Sequence, residues 1–465
     1  MSDFEQTDVV VVGAGISGLS LAHYLNQLGL GVVVFERDRR AGGKLHTRRH
    51  GEFLMEHGPN SLLETNPHLS GLVSDLGIEE DKIYTREVAK NRYIARSGDL
   101  HPIPLNPLAF IGTSLFSARA KLRLLAEPFV GHGPDVDETL AAFVERRLGR
   151  EFLNYAVDPF VAGVYAGIPE ELSVASAFPK LVVLEEEYGG LIKGAVLGAR
   201  KRNKQAGTSK QKARMFAFKE GVGTLVDALV SELDEILEVG VAVKEIAETD
   251  DDGYLVSLED NDATWQIRSR CVVFTIPAHA YTDVNFRFDF PVGTSLQRIP
   301  YPPVSVVFFG YNQPPGGRKL DGFGFLVPRL ENRRILGTIW NSSLFPGRAP
   351  ELGAAFTTFV GGVRQPEVAF LDDSELSDLV RDELRDLLGV TAVPAEIQVA
   401  RWDRAIPQYG IGHGERMKEL EAFEELRPGL HLSGNFRNGV SAPDCIEQSY
   451  RLSRQISASS ALDFD

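Results

Sequence analysis

The chain has 465 residues, enough for about three domains and for a core built around a large ligand. Its 43% apolar and 24% charged content excludes wholesale disorder, and a net charge of −15 argues against nucleic acid as the main partner. Two cysteines without metal-ligand spacing exclude a disulfide framework or a zinc site, and no apolar run is long enough to span a membrane. The first eight residues are acidic and carry no basic or Arg-rich leader pattern. From there, 8–38 reads as a βαβ unit. Residues 9–12 form a short apolar run, expected of a strand buried on both faces. Gly13-Ala14-Gly15-Ile16-Ser17-Gly18 follows at once, 19–28 carries helical apolar spacing, and Gly29 stops that helix. Residues 31–35 make a second strand that ends at Glu36 and Arg37. In such a unit Gly13 permits the tight turn, Gly15 lets backbone approach a pyrophosphate, and Gly18 allows close helix–strand packing. The helix N-terminus offers free N–H groups to phosphate, and Glu36 can accept from ribose hydroxyls.

Arg39-Arg40-Ala41-Gly42-Gly43-Lys44 follows the second strand directly, and Glu56-His57-Gly58-Pro59-Asn60-Ser61 reads as a loop. Residues 92–103 read as a hairpin turning at Ser97-Gly98. The stretch 107–188 favours helix, with one expected breaker at 161–167. Between 188 and 219 come nine Lys or Arg and no Asp or Glu. Residues 213–229 predict a strand, a Gly221-Val222-Gly223 turn and a helix; Val241-Ala242-Val243 and 271–276 are further strands. Four strand candidates, 304–311, 322–327, 334–340 and 354–361, predict an antiparallel sheet separate from the parallel one. Residues 375–388 form an amphipathic helix stopped by Gly389. Leu430-His431-Leu432 leads as a strand to Gly434-Asn435, and Pro443 is expected at the first position of a final helix.

The Gly42-Gly43-Lys44 segment resembles the flavin monooxygenase-like and amine-oxidase-like superfamily, where it passes beside the FAD pyrophosphate. Further motifs resemble the protoporphyrinogen oxidase family over nearly the whole chain: Glu56-His57-Gly58-Pro59-Asn60, Asn91-Arg92-Tyr93, Gly163-Val164-Tyr165-Ala166-Gly167, 321–328, 357–362, and Gly434-Asn435 with Gly439-Val440. The implied fold is α/β: a Rossmann-like, amine-oxidase-like FAD-binding domain in three parts (1–85, 206–290 and 401–465). Interleaved with it are an α+β substrate domain (hairpin 86–104, antiparallel sheet 291–400) and a helical domain at 105–205 that can associate with a membrane. By the resemblance, FAD contacts Gly13, Ala14, Gly15, Ile16, Ser17, Gly18, Glu36, Arg37, Gly42, Gly43, Lys44, Gly58, Pro59, Asn60 and Ser61. Val243 holds the adenine side through its backbone, and Gly434, Asn435, Val440, Ser441 and Ala442 lie along the isoalloxazine. The helix opening near Pro443 would aim its positive end at that ring. The implied substrate is a tetrapyrrole with propionates, which asks for an apolar pocket with one fixed cation. Arg92 is the expected propionate partner, Leu326, Ile339 and Phe359 the residues on the pyrrole rings, and Gly163 the backbone at the reacting edge. Arg96 shares a strand face with Arg92 and is its rival. The bland alternatives are solvated hairpin charges for the two arginines and plain core for the three apolar residues.

The implied reaction is oxidation of protoporphyrinogen IX to protoporphyrin IX, with hydride passing to flavin N5 and dioxygen reoxidising the flavin to give hydrogen peroxide. The hard chemistry is the flavin's, so no acid–base residue and no metal is assigned; His46, His50, His57 and His101 show no metal-binding pattern. Cys445 is expected to be a buried structural thiol. Coproporphyrinogen III is the nearest alternative substrate, for which Arg86, Lys90 and Arg96 would supply extra cations. An amine oxidase or carotenoid desaturase is more distant, because Phe436 stands alone beside Arg437 where amine oxidases set two rings. A non-catalytic flavin-binding protein is the reading from another class. The basic stretch 188–219 fits a solvated loop or a foot on anionic lipid, which Phe110, Leu115 and Phe116 near Lys121 and Arg123 would assist. Expected partners are a porphyrinogen, dioxygen and a second copy in a homodimer, at a cytoplasmic location or on the cytoplasmic face of a membrane.

Overall fold

The computed structural model describes residues 6–133, 137–197, 213–250 and 253–459. Val9, Val10, Val11 and Val12 are all buried because the first strand, Gln6–Val12, has parallel neighbours on both sides, Val32–Glu36 and Thr264–Phe274. Leu237–Val239 extends the sheet beyond Val32–Glu36. The long strand Thr264–Phe274 serves two partners along its other edge: its first half pairs antiparallel with Tyr254–Glu259, and its last residues pair parallel with Leu430–Leu432. Segments far apart in sequence therefore close one layer. Helix Ile16–Gln27 crosses from the first strand to the second and ends where Gly29 takes φ +79°. It packs along the final helix, Ala442–Ser457, with Ser449 Oγ donating to the Ser17 carbonyl at 2.8 Å. Pro443 stands at the second position of that helix rather than the first, because Ser441 is the cap.

A second, seven-stranded sheet runs in the order Glu396–Trp402, Val304–Tyr311, Ala354–Gly361, Gly337–Trp340, Gly322–Leu326, Asn91–Arg96, Asp99–Pro102. It is antiparallel except where Gly322–Leu326 meets Asn91–Arg96, which run parallel. The four expected strands are therefore the middle of a larger sheet, completed by the hairpin and by Glu396–Trp402. Tyr93, Phe325, Trp340, Phe356 and Phe309 line one of its faces, covered by helix Asp373–Leu388. That helix starts in a capping box of Asp372 and Glu375 and stops at Gly389, φ +70°.

Between the hairpin and 197 the chain is mainly helical. Arg147, fully buried, organises this region: Nε donates to Glu185 at 2.7 Å, and Nη1 reaches Glu127 and the carbonyls of Val130 and Gly189. Removing either acid would strand a buried cation, at a cost of about 3–5 kcal/mol. The expected breaker at 161–167 is mostly helix: Asp158–Tyr165 runs through Gly163 and ends at Ala166 in the left-handed region, φ +51°. Tertiary contact overrides the glycine there, since a Cβ on Gly163 would stand 2.5 Å from Leu326 Cδ2. The densest part of the basic stretch falls at 198–212, outside the described residues. At its described end, Arg214 and Lys219 are engaged by Glu64 and Asp81 at 3.5 and 3.1 Å.

Candidate functional site

The nucleotide corner is made of backbone. A Cβ on Gly18 would lie 1.9 Å from the Gly13 carbonyl oxygen and 2.7 Å from Thr275 Oγ1, so helix and turn can only meet at a glycine. Gly13 itself takes φ +100°. A Cβ on Gly15, by contrast, would meet no protein atom within 4 Å, which is the arrangement a pyrophosphate on the helix N-terminus requires. Glu36, at the end of the second strand, accepts from the Ala14 N–H at 2.8 Å and the Asp38 N–H at 3.0 Å, so its carboxylate is held beside the turn. The strand that carries Val243 starts next to it, through Val241 N–H to the Glu36 carbonyl at 2.9 Å. Arg37 instead points to Asp283, with which it pairs at 3.0 Å.

Gly42 donates to the Ala14 carbonyl at 2.7 Å and bridges Gly15, which places Gly42, Gly43 and Lys44 on the turn. Lys44 lies over the Trp402 ring at 5.6 Å; burial pushes its ammonium down to about 8. An anionic group there would stabilise the ammonium and raise it again. Trp402 in turn donates to the His57 carbonyl at 2.6 Å, tying the 56–61 loop to the second sheet. In that loop Asn60 Nδ2 donates to the Gly58 carbonyl, and Asn60 Oδ1 accepts from Asn341 at 2.6 Å, with Pro59 between and Ser61 following. The first turn of Ile16–Gln27 meets the first two turns of the final helix at Ser17 and Ser449, so the positive ends of two helices converge. Gly434, Asn435, Val440, Ser441 and Ala442 form the approach to the second of these.

The expected substrate residues fall on one face of the seven-stranded sheet. Leu326 pairs with Gly337 and Gly337 with Phe359, while Ile339 pairs with Gly324 and Thr357 one row away. Leu326 also pairs with Ile94, so Arg92, Ile94 and Arg96 belong to the same face. Ile339 and Phe359 are the one half-buried residue in each of their strands, which are otherwise buried. Both pack against neighbouring buried clusters, and their partial exposure puts them at the edge of that core. Opposite stands helix Asp158–Tyr165, exposing Phe160, Gly163 and Val164 on one side. Asp158 anchors it: the buried carboxylate accepts from Arg364 and from the Arg329 N–H, both at 2.8 Å, while Arg364 also donates to the Val327 carbonyl at 2.7 Å.

The two arginines differ sharply. Arg96 pairs with Glu151 at 2.8 Å, donates to the Leu115 carbonyl and stacks over Tyr155. Arg92 is exposed and lies over Phe323 at 5.2 Å, without a carboxylate partner among the described residues. Sequence reasoning missed Phe160, Val164 and Phe323, whose exposure depends on the fold, and Gln408-Tyr409, which carry no motif signal. Cys445 is buried, and burial raises its thiol to about 11. Phe436 packs inside the core against Tyr281, 6.2 Å between ring centres, and cannot serve as a ring before a flavin.

Residues 16–457 match the family described as flavin containing amine oxidoreductase. The mitochondrial protoporphyrinogen oxidase of Nicotiana tabacum is 32% identical over 93% of this chain and 91% of its own. The coproporphyrinogen III oxidase of Bacillus subtilis (strain 168) is 29% identical over 96% and 97%. A crystal structure from Exiguobacterium sp. 255-15, assigned as a protoporphyrinogen oxidase, superposes with a TM-score of 0.81 at 23% identity, covering 98% of this chain and 99% of that one; at that identity the likeness shows the fold. The chain belongs to the flavin containing amine oxidoreductase family, on its protoporphyrinogen oxidase branch, and is an FAD-dependent oxidoreductase.

Proposed function

We propose that this enzyme oxidises protoporphyrinogen IX to protoporphyrin IX, in preference to coproporphyrinogen III. The observation that carries the preference is the distribution of cations at the cleft. Of the four candidates, Arg96 is held by Glu151 in a half-buried pair, Lys90 faces Glu87 in an exposed one and Arg86 donates to the Ser342 carbonyl, so Arg92 is the one without a polar side-chain partner among the described residues. One such unengaged cation beside an apolar wall suits a dipropionate better than a tetracarboxylate. When bound, FAD supplies two-electron oxidation, with dioxygen as the final acceptor. The chain's own work is to hold and orient. Gly13 to Gly18 and Glu36 take the pyrophosphate and ribose, and Lys44 the negative charge. Leu326, Ile339 and Phe359 form the wall for the macrocycle, with Gly163 packed on Leu326 at the edge of that wall, and Arg92 fixes the macrocycle's direction through a propionate. The Asp158–Arg364 pair keeps the two walls at a constant distance. No side chain needs to act as acid or base.

The test is aerobic growth of porphyrin fluorescence with purified yellow protein, run in parallel on the two porphyrinogens. A higher kcat/KM for protoporphyrinogen IX is expected. A preference for coproporphyrinogen III would overturn the proposal and reassign Arg86 and Lys90 as carboxylate partners.

A membrane contact is part of the same reading, on residues other than those expected. Leu115 and Phe116 are buried, at 1% and 5% exposure, because they pack under Ile94. The exposed apolar side chains are Leu105, Leu108, Ile111, Leu122, Leu125 and Phe129, the last at 90%. They follow directly on the hairpin that bears Arg92, with Arg119 and Lys121 among them. This face suits shallow insertion into an anionic bilayer beside the cleft, with about 1 kcal/mol from each cation at the surface. Flotation with anionic vesicles is expected to carry the protein, and Leu108→Glu with Phe129→Glu to abolish it; equal flotation of that variant would exclude this face.

A further inference from the structure

Gln408 and Tyr409 lie between helix Asp158–Tyr165 and the 434–439 loop and touch both. Tyr409 is buried, and its hydroxyl donates to the Asn435 carbonyl at 2.7 Å while accepting from the Gly439 N–H at 3.0 Å. Both partners belong to the 434–439 loop that leads into the final helix. That loop needs such a brace: Gly434, Asn438 and Gly439 all take positive φ, at +133°, +61° and +138°. The Tyr409 ring is stacked on buried His413, with centres 4.2 Å apart and planes 12° from parallel. One residue earlier, Gln408 Nε2 donates to the Tyr165 carbonyl at 2.8 Å, in the last turn of the helix that carries Gly163. The backbone between is fixed too, by Gln408 N–H to the Pro300 carbonyl at 2.9 Å and Ser173 N–H to the Tyr409 carbonyl at 2.8 Å.

We infer that Gln408-Tyr409 is a strut that sets the distance between the flavin-side loop and the Gly163 wall, and that Tyr409 is a positioning residue for the oxidation. The inference rests on the proposed placement of Asn435 and Val440 along the isoalloxazine and of Gly163 at the reacting edge. Two adjacent residues with one side chain on each side tie the spacing of loop and helix to one short stretch of backbone. A shift of about 1 Å between reacting groups is enough to slow a reaction by about a hundredfold. The hydroxyl is the part that matters on the loop side, because it satisfies two backbone groups of one strained turn at once.

Tyr409→Phe keeps the ring stack and removes only the hydroxyl, and Gln408→Met keeps the volume and removes only the amide. In the holoenzyme, Tyr409→Phe is expected to retain FAD, to change the visible circular dichroism of the flavin, and to lower the anaerobic rate of flavin reduction by porphyrinogen about tenfold or more with KM within about twofold. Gln408→Met is expected to leave the flavin spectrum as in the parent and to slow reduction, since it frees only the helix wall. A parental spectrum and rate in Tyr409→Phe would overturn the inference. Should Tyr409→Phe fail to hold FAD, Gln408→Met decides: a parental reduction rate there overturns it. If the parent itself were not reduced by either porphyrinogen, the functional proposal would fall, whereas the flavin spectrum of Tyr409→Phe would still test the strut.

Discussion

The nucleotide corner and the substrate cleft are built by opposite means. At the corner, function resides in what side chains are not there: Gly18 exists because a Cβ would collide with the Gly13 carbonyl, and Gly15 because its open side must stay open. On the sheet face, the residues proposed to meet substrate are a few side chains left half-buried, Leu326, Ile339 and Phe359. Backbone geometry tolerates no substitution, so it writes a motif. A wall of apolar side chains tolerates many, so it writes only a hydrophobic pattern.

The largest effect that can break this contrast comes from the two glycines. Gly18→Ala should cost about 3 kcal/mol or more, because backbone cannot retreat from a carbonyl at 1.9 Å; purified protein should be colourless and melt early. Gly15→Ala meets no protein atom and should fold with nearly the parental melting temperature, yet bind FAD weakly. Equal FAD content in Gly15→Ala and the parent would show that the open side of the turn is not the phosphate site.

A carboxyl at the same corner gives the next effect. Glu56 is buried, accepts from Thr47 Oγ1 at 2.5 Å and from the Val222 N–H at 2.9 Å, and burial pushes it up to about 7. A raised carboxyl binds its proton more tightly in the folded state, so its stabilising contribution is full below pH 4.5 and is lost as pH rises through about 7. Over that window the linkage amounts to about 3 kcal/mol. Melting temperatures between pH 5 and 8 should therefore fall more steeply for the parent than for Glu56→Gln, which carries no charge, keeps the bond from the Val222 N–H and turns its amide N–H toward Thr47 Oγ1. Parallel curves would place the proton elsewhere.

What could be read from the sequence follows the same division. The βαβ unit, the Gly42-Gly43-Lys44 crossing and the capped helix Asp373–Leu388 were legible because each is dictated locally, by a turn, a close approach or a cap. The helix through Gly163 was not, because its glycine is explained only by Leu326 from a strand 163 residues away. The same holds for the exposed apolar side chains after the hairpin: Leu115 and Phe116 look as exposed in sequence as Leu108 and Leu125, and only packing under Ile94 separates them. Gln408-Tyr409 could not be found at all, since a strut is defined by its two ends and neither is nearby in sequence.

The smallest expected effect sharpens the contrast most, because it separates two arginines that strand periodicity makes equivalent. Arg92 and Arg96 lie on one face of one strand, but their surroundings assign them different work. Arg92→Ala removes an exposed cation whose contact among the described residues is the Phe323 ring, so stability should stay within about 0.5 kcal/mol. A charge-assisted bond to a propionate would be lost, raising KM about tenfold with kcat nearly unchanged. Arg96→Ala leaves Glu151 with Ser117 alone and the Leu115 carbonyl without its donor, which should lower stability by about 1 kcal/mol and leave KM alone. The two variants should thus exchange their effects between a melting curve and a saturation curve. If Arg96→Ala raised KM instead, the ion pair with Glu151 would have to open when substrate arrives. The cleft would then present two cations rather than one, and the case for a dipropionate over a tetracarboxylate would lose its basis.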